Sequence, residues 1–133
     1  MKTIPIALEV AKEMLERAGK AMANTYPEAH KGYAVTVLTD QGNIYEGVSY
    51  NSDTQSLTMH SEAVALAHAA TKGEKNIVGI TGPNCHICKQ LIWESSLRSG
   101  IEVQVIIEEN SEVKFIPISK LMPYPWPDAN GNK

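Results

Sequence analysis

The sequence predicts a single α/β domain, residues 1–133, built on a mixed five-stranded sheet covered by helices on its faces. Three observations point there. The chain has 133 residues, a length that favours one domain with one core. Its apolar residues recur at helical spacing in some stretches and form short β-branched runs in others, and the two kinds alternate in the order α-β-β-α-β-α-β-β-α. Turn residues separate the stretches, so the hairpins and crossovers are marked.

Residues 6–23 read as an amphipathic helix, with Ile6, Val10, Met14, Leu15, Ala18 and Met22 on one face and Glu9, Lys12, Glu13 and Glu16 between them. Asn24-Thr25-Tyr26-Pro27 ends it. Tyr33 to Thr39 and Ile44 to Tyr50 are strands around the turn Asp40-Gln41-Gly42-Asn43, a hairpin and hence an antiparallel pair. Asn51 to Thr58 is polar and loop-like. A second helix opens at Thr58 or Met59, its many alanines suggesting close approach to a neighbouring layer, and Gly73 stops it. Asn76 to Thr81 is a short apolar strand, and Gly82-Pro83-Asn84 turns the chain into a third helix from about Cys85 to Arg98, ended by Ser99-Gly100. Ile101 to Ile107 and Val113 to Ile116 are the last strands, and Ser119 is placed to cap a short closing helix before a proline-rich tail that carries Trp126. The β-α-β segments favour parallel neighbours.

Composition narrows the function. The longest apolar runs are too short to span a membrane. The N-terminus, MKTIPIALEV, lacks a long apolar region, so no signal peptide is expected. The only two cysteines stand at C-x-x-C spacing, which argues for metal or redox use over a structural disulfide and, with no secretion signal, for a cytoplasmic location. The formal net charge is −3 and the basic residues are scattered. A protein that grips nucleic acid shows a basic stripe, so a small uncharged or cationic substrate is favoured over nucleic acid.

The chemistry sits in a split motif, Met59-His60-Ser61-Glu62-Ala63 and Pro83-Asn84-Cys85-His86-Ile87-Cys88. Its halves fall at the starts of two consecutive helices. One His and two Cys form a three-ligand zinc site with an open fourth position. Cysteines three apart share one helical face, and helix N-termini support thiolates. Glu62 is placed to move protons on a zinc-activated water. His68 lies two turns beyond His60 and reads as structural, and Trp93 as core or interface.

On these residues the chain resembles the cytidine deaminase family in its small homotetrameric form, and it is similar to blasticidin S deaminases. The spacing H-x-E…P-C-x-x-C is close to the zinc-deaminase signature. Tyr33-Ala34-Val35 stands where the family has F-x-V-G-A-A. Residues 47–62, GVSYNSDTQSLTMHSE, align without a gap to G-V-N-V-E-N-A-S-Y-x-x-T-x-C-A-E. Residues 84–94, NCHICKQLIWE, resemble P-C-G-x-C-R-Q-x-L-x-E, and Leu121-Met122-Pro123 resembles a late L-L-P. The resemblance implies a three-layer α-β-α sandwich, zinc held by His60, Cys85 and Cys88, and Glu62 as proton shuttle. It implies hydrolytic release of ammonia from a cytidine-like nucleoside or related aminated heterocycle. Tyr33, Ser49 and Asn51 are then the substrate contacts, with His86 lining the pocket, in a homotetramer or alternatively a dimer.

Several positions depart from the family pattern. The first ligand is His60 where the small form usually has Cys, and the Asn and Glu that hold ribose fall on Ser49 and Asn51. The Pro before the first Cys becomes Asn84, the Gly after it becomes His86, and the Arg after the second Cys becomes Lys89. A polynucleotide or tRNA base deaminase is one alternative, suggested by the histidine ligand and opposed by the scattered basic residues. A non-catalytic zinc-containing binding module is another, opposed by the retained Glu62.

Overall fold

A computed structural model describes residues 1–133. The helices are α1 (Leu8–Ala21), α2 (Ser61–Thr71) and α3 (His86–Ser99). The strands are β1 (Ala34–Thr39), β2 (Ile44–Val48), β3 (Ile77–Thr81), β4 (Gln104–Glu109) and β5 (Glu112–Pro117). Short 3-10 turns occupy Met22–Asn24, Gln55–Leu57 and Ile118–Leu121. The strands form one mixed sheet in the order β2-β1-β3-β4-β5. β1 runs antiparallel to β2 and to β3, β4 antiparallel to β5, and only β3 and β4 are parallel. The α3 crossover therefore joins adjacent parallel strands, whereas the α2 crossover steps over β1.

Strand alternation divides the core into two layers. Val35 and Val37 point to one side, where they pack with Ala65 and Ala69 of α2, Ile92 and Trp93 of α3, and Val103 and Val105. Leu38 points to the other side, where Ala11 and Met14 of α1 meet Val78 and Ile106. Thr36, also on that side, donates its hydroxyl to the Met14 carbonyl at 2.8 Å. The result is the α-β-α sandwich that the sequence predicts. No helix is long and apolar enough to cross a membrane.

Element boundaries shift where tertiary hydrogen bonds override local pattern. α1 starts at Leu8 rather than Ile6, and the segment before it runs extended. There the Lys2 N–H donates to the Gly100 carbonyl and the Glu102 N–H donates to the Lys2 carbonyl. That pairing also keeps Ile101–Val103 out of β4. α2 opens at Ser61 rather than Thr58 or Met59, because Met59 and Tyr50 exchange two backbone hydrogen bonds, at 2.9 and 3.0 Å, that hold Met59 extended. Ser119 lies inside the closing 3-10 turn instead of capping it, its hydroxyl donating to Glu102. The two stops read from the sequence hold: Gly73 and Gly100 take positive φ, 82° and 76°, just past α2 and at the end of α3.

The alanines of α2 have a specific partner. At Gly47 of β2 a Cβ would lie 2.2 Å from the Ala65 nitrogen and 2.4 Å from the Ser61 carbonyl oxygen. The helix rests on bare strand backbone there, and Ala65 and Ala69 are fully buried. A Gly47→Ala change cannot be absorbed by a side-chain rotation, since the colliding atoms are backbone. It is expected to lower stability by about 1–3 kcal/mol, in the range of an overpacked core. Urea unfolding measures this, and an unchanged midpoint would show that α2 does not sit on Gly47.

Candidate metal centre

The start of α2 at Ser61 makes His60 its N-cap, and Cys85 is the N-cap of α3. Neither side chain caps its own helix by a hydrogen bond. Both turn instead towards a common point, together with Cys88 from the first turn of α3. The His60 Nδ1 lies 3.4 Å from the Cys85 sulfur and 3.3 Å from the Cys88 sulfur. All three donor atoms lie within 4.8 Å of one another. A zinc ion at about 2.3 Å from sulfur and about 2.05 Å from nitrogen, with tetrahedral angles, separates such a pair by about 3.5 Å. The donor set and its spacing thus fit zinc, with one coordination position left over.

The expectation that the helix N-termini support a thiolate does not hold for Cys88 in the metal-free site, where burial outweighs them. Cys88 is buried while Cys85 is exposed. Burial, then the nearby Glu62 carboxylate and Cys85, push the Cys88 thiol far above its ordinary range. A buried sulfur next to a carboxylate does not ionise without a compensating cation. The convergent N-termini of α2 and α3 add partial positive charge to the same spot.

Glu62 sits in the first turn of α2 and is 6% exposed. One carboxylate oxygen accepts the Ser61 hydroxyl at 2.9 Å, and the other accepts the Asn84 side-chain amide at 2.8 Å. His60, Glu62 and Cys85 open into a cavity of about 600 Å³ that Tyr33, Ser49 and Asn51 also line. Tyr33 stands at the rim with its ring largely exposed. Ser49 is buried, and its hydroxyl oxygen accepts the Tyr33 N–H at 3.0 Å. Asn51 is half-buried, fixed through its N–H to the Tyr26 carbonyl at 3.0 Å.

His86 is not among the residues lining this cavity: as the first residue of α3 it is exposed. His68 is structural, its Nδ1 2.9 Å from the Glu46 carbonyl oxygen and its ring edge-on to Tyr45. Trp93 is core, with its indole N–H donating to the Pro127 carbonyl at 2.8 Å. The Trp126 side chain is exposed, and its carbonyl receives the Gln90 amide at 2.7 Å, so the tail is strapped to α3. Sequence reasoning missed Ser61 and Asn84 as partners of Glu62. Both lie within the motif, but nothing in their spacing shows which way the side chains turn. It also missed Lys31, which is among the residues lining the cavity.

A family model described as the cytidine and deoxycytidylate deaminase zinc-binding region matches residues 8–103. Solved structures with the same fold include the cytidine deaminase from Burkholderia pseudomallei, 17% identical with a TM-score of 0.72, over 86% of this chain and 98% of that one. The cytidine deaminase from Mycobacterium tuberculosis is 17% identical with a TM-score of 0.68, over 86% and 95% of the two chains. That from Bacillus anthracis is 19% identical with a TM-score of 0.65, over 90% and 91%. No curated protein matches the sequence.

Zinc uptake by metal-free protein at pH 7 is expected to release protons, because the Cys88 thiol starts protonated and must bind as thiolate. Calorimetric titration in buffers of different ionisation enthalpy reads the release directly. Heats independent of buffer would mean that Cys88 does not enter the coordination shell as described.

Proposed function

The chain belongs to the cytidine and deoxycytidylate deaminase zinc-binding family, and we propose that it is a hydrolytic deaminase of a cytidine-like nucleoside or related aminated heterocycle, with Glu62 as its proton shuttle. The observation that carries this reading is the buried Glu62 carboxylate, which opens into the same cavity as His60 and Cys85. A purely structural zinc site takes four protein ligands and has no use for a carboxylate beside them. Here two of the three ligands, His60 and Cys85, and a carboxylate face one pocket, while the third ligand, Cys88, is buried.

His60, Cys85 and Cys88 would hold the zinc, which would supply a water activated at neutral pH. Glu62 would take one proton from the attacking water at its carboxylate and give it to the ring nitrogen next to the amine-bearing carbon as the water oxygen bonds to that carbon. It would then carry the remaining O–H proton to the amine, so that the C–N bond breaks, ammonia leaves and a carbonyl remains. Each of its oxygens accepts one hydrogen bond from the protein, which leaves a lone pair on each for the moving proton. The Cys85 backbone N–H has no intramolecular acceptor and is free to stabilise a developing charge.

The cavity size suits a nucleoside-sized molecule, since ligand pockets run from about 300 to 1,000 Å³. Tyr33 offers a flat face at the rim for a heterocyclic ring. In this proposal Ser49 and Asn51 contact the remainder of the substrate and His86 stands outside the pocket. Neither Ser49 nor Asn51 supplies a carboxylate to a ribose, so the substrate is held differently from one gripped through its sugar hydroxyls by Glu. The proposal also includes a homotetramer, or alternatively a dimer, in the cytoplasm. Leu57, Met59 and Ile87 leave apolar surface exposed beside the motif residues, which a second subunit would cover. Sedimentation velocity is expected to show an oligomer, and a monomer at all concentrations would remove that part.

The central test is ammonia release by zinc-loaded protein from cytidine, deoxycytidine, their 5′-monophosphates, cytosine, adenosine and blasticidin S. Glu62→Ala is run beside it. Release from at least one compound is expected, with a loss of roughly 10²–10⁴-fold or more in the variant. Turnover that survives Glu62→Ala, or no release from any compound at one zinc per chain, would overturn the reading.

A further inference from the structure

We propose that Asn84 is a positioning residue, whose side-chain amide holds the Glu62 carboxylate in the orientation from which it transfers protons. The inference rests on the role of Glu62 given above, and it concerns a position where the family pattern has proline.

The Asn84 nitrogen Nδ2 faces two acceptors at once, the Glu62 Oε2 at 2.8 Å and the Thr81 carbonyl at 3.1 Å. Only the NH₂ end of an amide can satisfy both, so the flipped orientation is excluded by chemistry. The other end of the same amide has no partner: Oδ1 is buried without a hydrogen bond. Asn84 as a whole is 7% exposed. An unmet buried carbonyl is costly, and native structures hold few of them. The chain gives it room at Gly82, where a Cβ would lie 2.9 Å from Oδ1 and 2.5 Å from a Val105 methyl. Glycine at 82 and asparagine at 84 therefore accept a local penalty together. What they obtain is one N–H donor aimed at Glu62.

That donor completes a two-sided grip. Ser61, on α2 itself, fixes Oε1 at 2.9 Å. Asn84, immediately before the Cys85 N-cap of α3, fixes Oε2. A glutamate has three rotatable side-chain bonds, and a single partner on its own helix leaves the carboxylate free to swing. A second partner carried by the segment that carries a metal ligand ties the carboxylate to the ligand frame. Proton transfer depends on such heavy-atom placement, because the reacting groups must come within hydrogen-bond reach. A proline at 84 could donate no such bond, so this chain holds its glutamate by a contact that the family pattern does not supply.

The test uses zinc-loaded full-length protein and three variants, Asn84→Ala, Asn84→Asp and Glu62→Ala. With the panel compound that is deaminated fastest at pH 8, Asn84→Ala is expected to lower kcat roughly 10–100-fold while KM stays within about threefold and zinc stays at one per chain. Asn84→Asp keeps the shape but points an acceptor at two acceptors, so it is expected to lose more than Asn84→Ala. A space-filling role would rank the two the other way. The Asn84 side-chain amide resonances, assigned by their absence in Asn84→Ala, are expected to move when Glu62 becomes Ala. Unchanged kcat in Asn84→Ala, better retention in Asn84→Asp, or a loss that merely follows lost zinc would overturn the proposal. If wild-type protein releases ammonia from no compound, the deaminase reading fails and the amide resonances decide alone. Their insensitivity to Glu62→Ala would then overturn the grip, and their movement would uphold it.

Discussion

Everything at the metal centre depends on two helices beginning at one point in space. His60 and Cys85 are both N-caps, and each gives up the capping role usual for that position. The helix ends still gain something, because the partial positive charge of two N-termini lies where cysteine sulfurs must bind a metal as thiolates. The convergence is set by the sheet. β3 leads directly into the turn before α3, and α2 lies on β2 at Gly47, one strand beyond β1. With β1 between β2 and β3, the two crossovers deliver their helices side by side on one face, with both N-termini at the same end.

Much of this was legible in the residues. The split motif, the glycine stops and the order of helices and strands hold in the structure, except that the closing helix is a 3-10 turn. What was not legible has a common cause. The start of α2 depends on Met59 pairing with Tyr50 in an isolated antiparallel bridge that sequence periodicity does not encode. The start of α1 and of β4 depends on residues 2 and 100–102 meeting across the length of the chain. Ser119 looked like a cap because serine before an apolar stretch usually is one, yet Glu102 offers its hydroxyl an anionic acceptor. In each case a long-range hydrogen bond wins over a local preference, as propensity differences of a few tenths of a kcal/mol are easily outweighed.

At the site the motif identified which residues converge but not how they are held. His60, Cys85, Cys88 and Glu62 follow from spacing, since helix N-termini and a three-residue repeat dictate a shared face. The partners Ser61 and Asn84 do not, because a hydrogen bond depends on rotamers and on the distance between two segments far apart in sequence. His86 shows the same limit: its position next to Cys85 suggests a pocket residue, yet in the single chain it is exposed and lies outside the residues that line the cavity.

A comparison within the molecule shows where the fold tolerates imperfection. At the other end of the hairpin the Glu74 carboxylate is fully engaged: Thr39 donates to one oxygen, Tyr45 to the other, and Asn43 to both. Those bonds, from Thr39 and Tyr45 first, hold it below the usual carboxylate range. Nothing there is left over, and the network closes the β1–β2 turn against the end of α2. At Glu62 the same kind of residue is surrounded differently. Each oxygen keeps an unused lone pair, a neighbouring thiol is pushed up by burial and by the carboxylate, and the amide that grips it leaves a buried carbonyl unpaired. A sequence optimised only for stability would close both networks alike. Under the proposed function, the unmet Asn84 Oδ1 and the spare lone pairs of Glu62 lie around the one carboxylate that would have to be held firmly and still take up a proton, whereas the other unmet atom, Glu102 Oε2, lies away from the site beside the closing 3-10 turn.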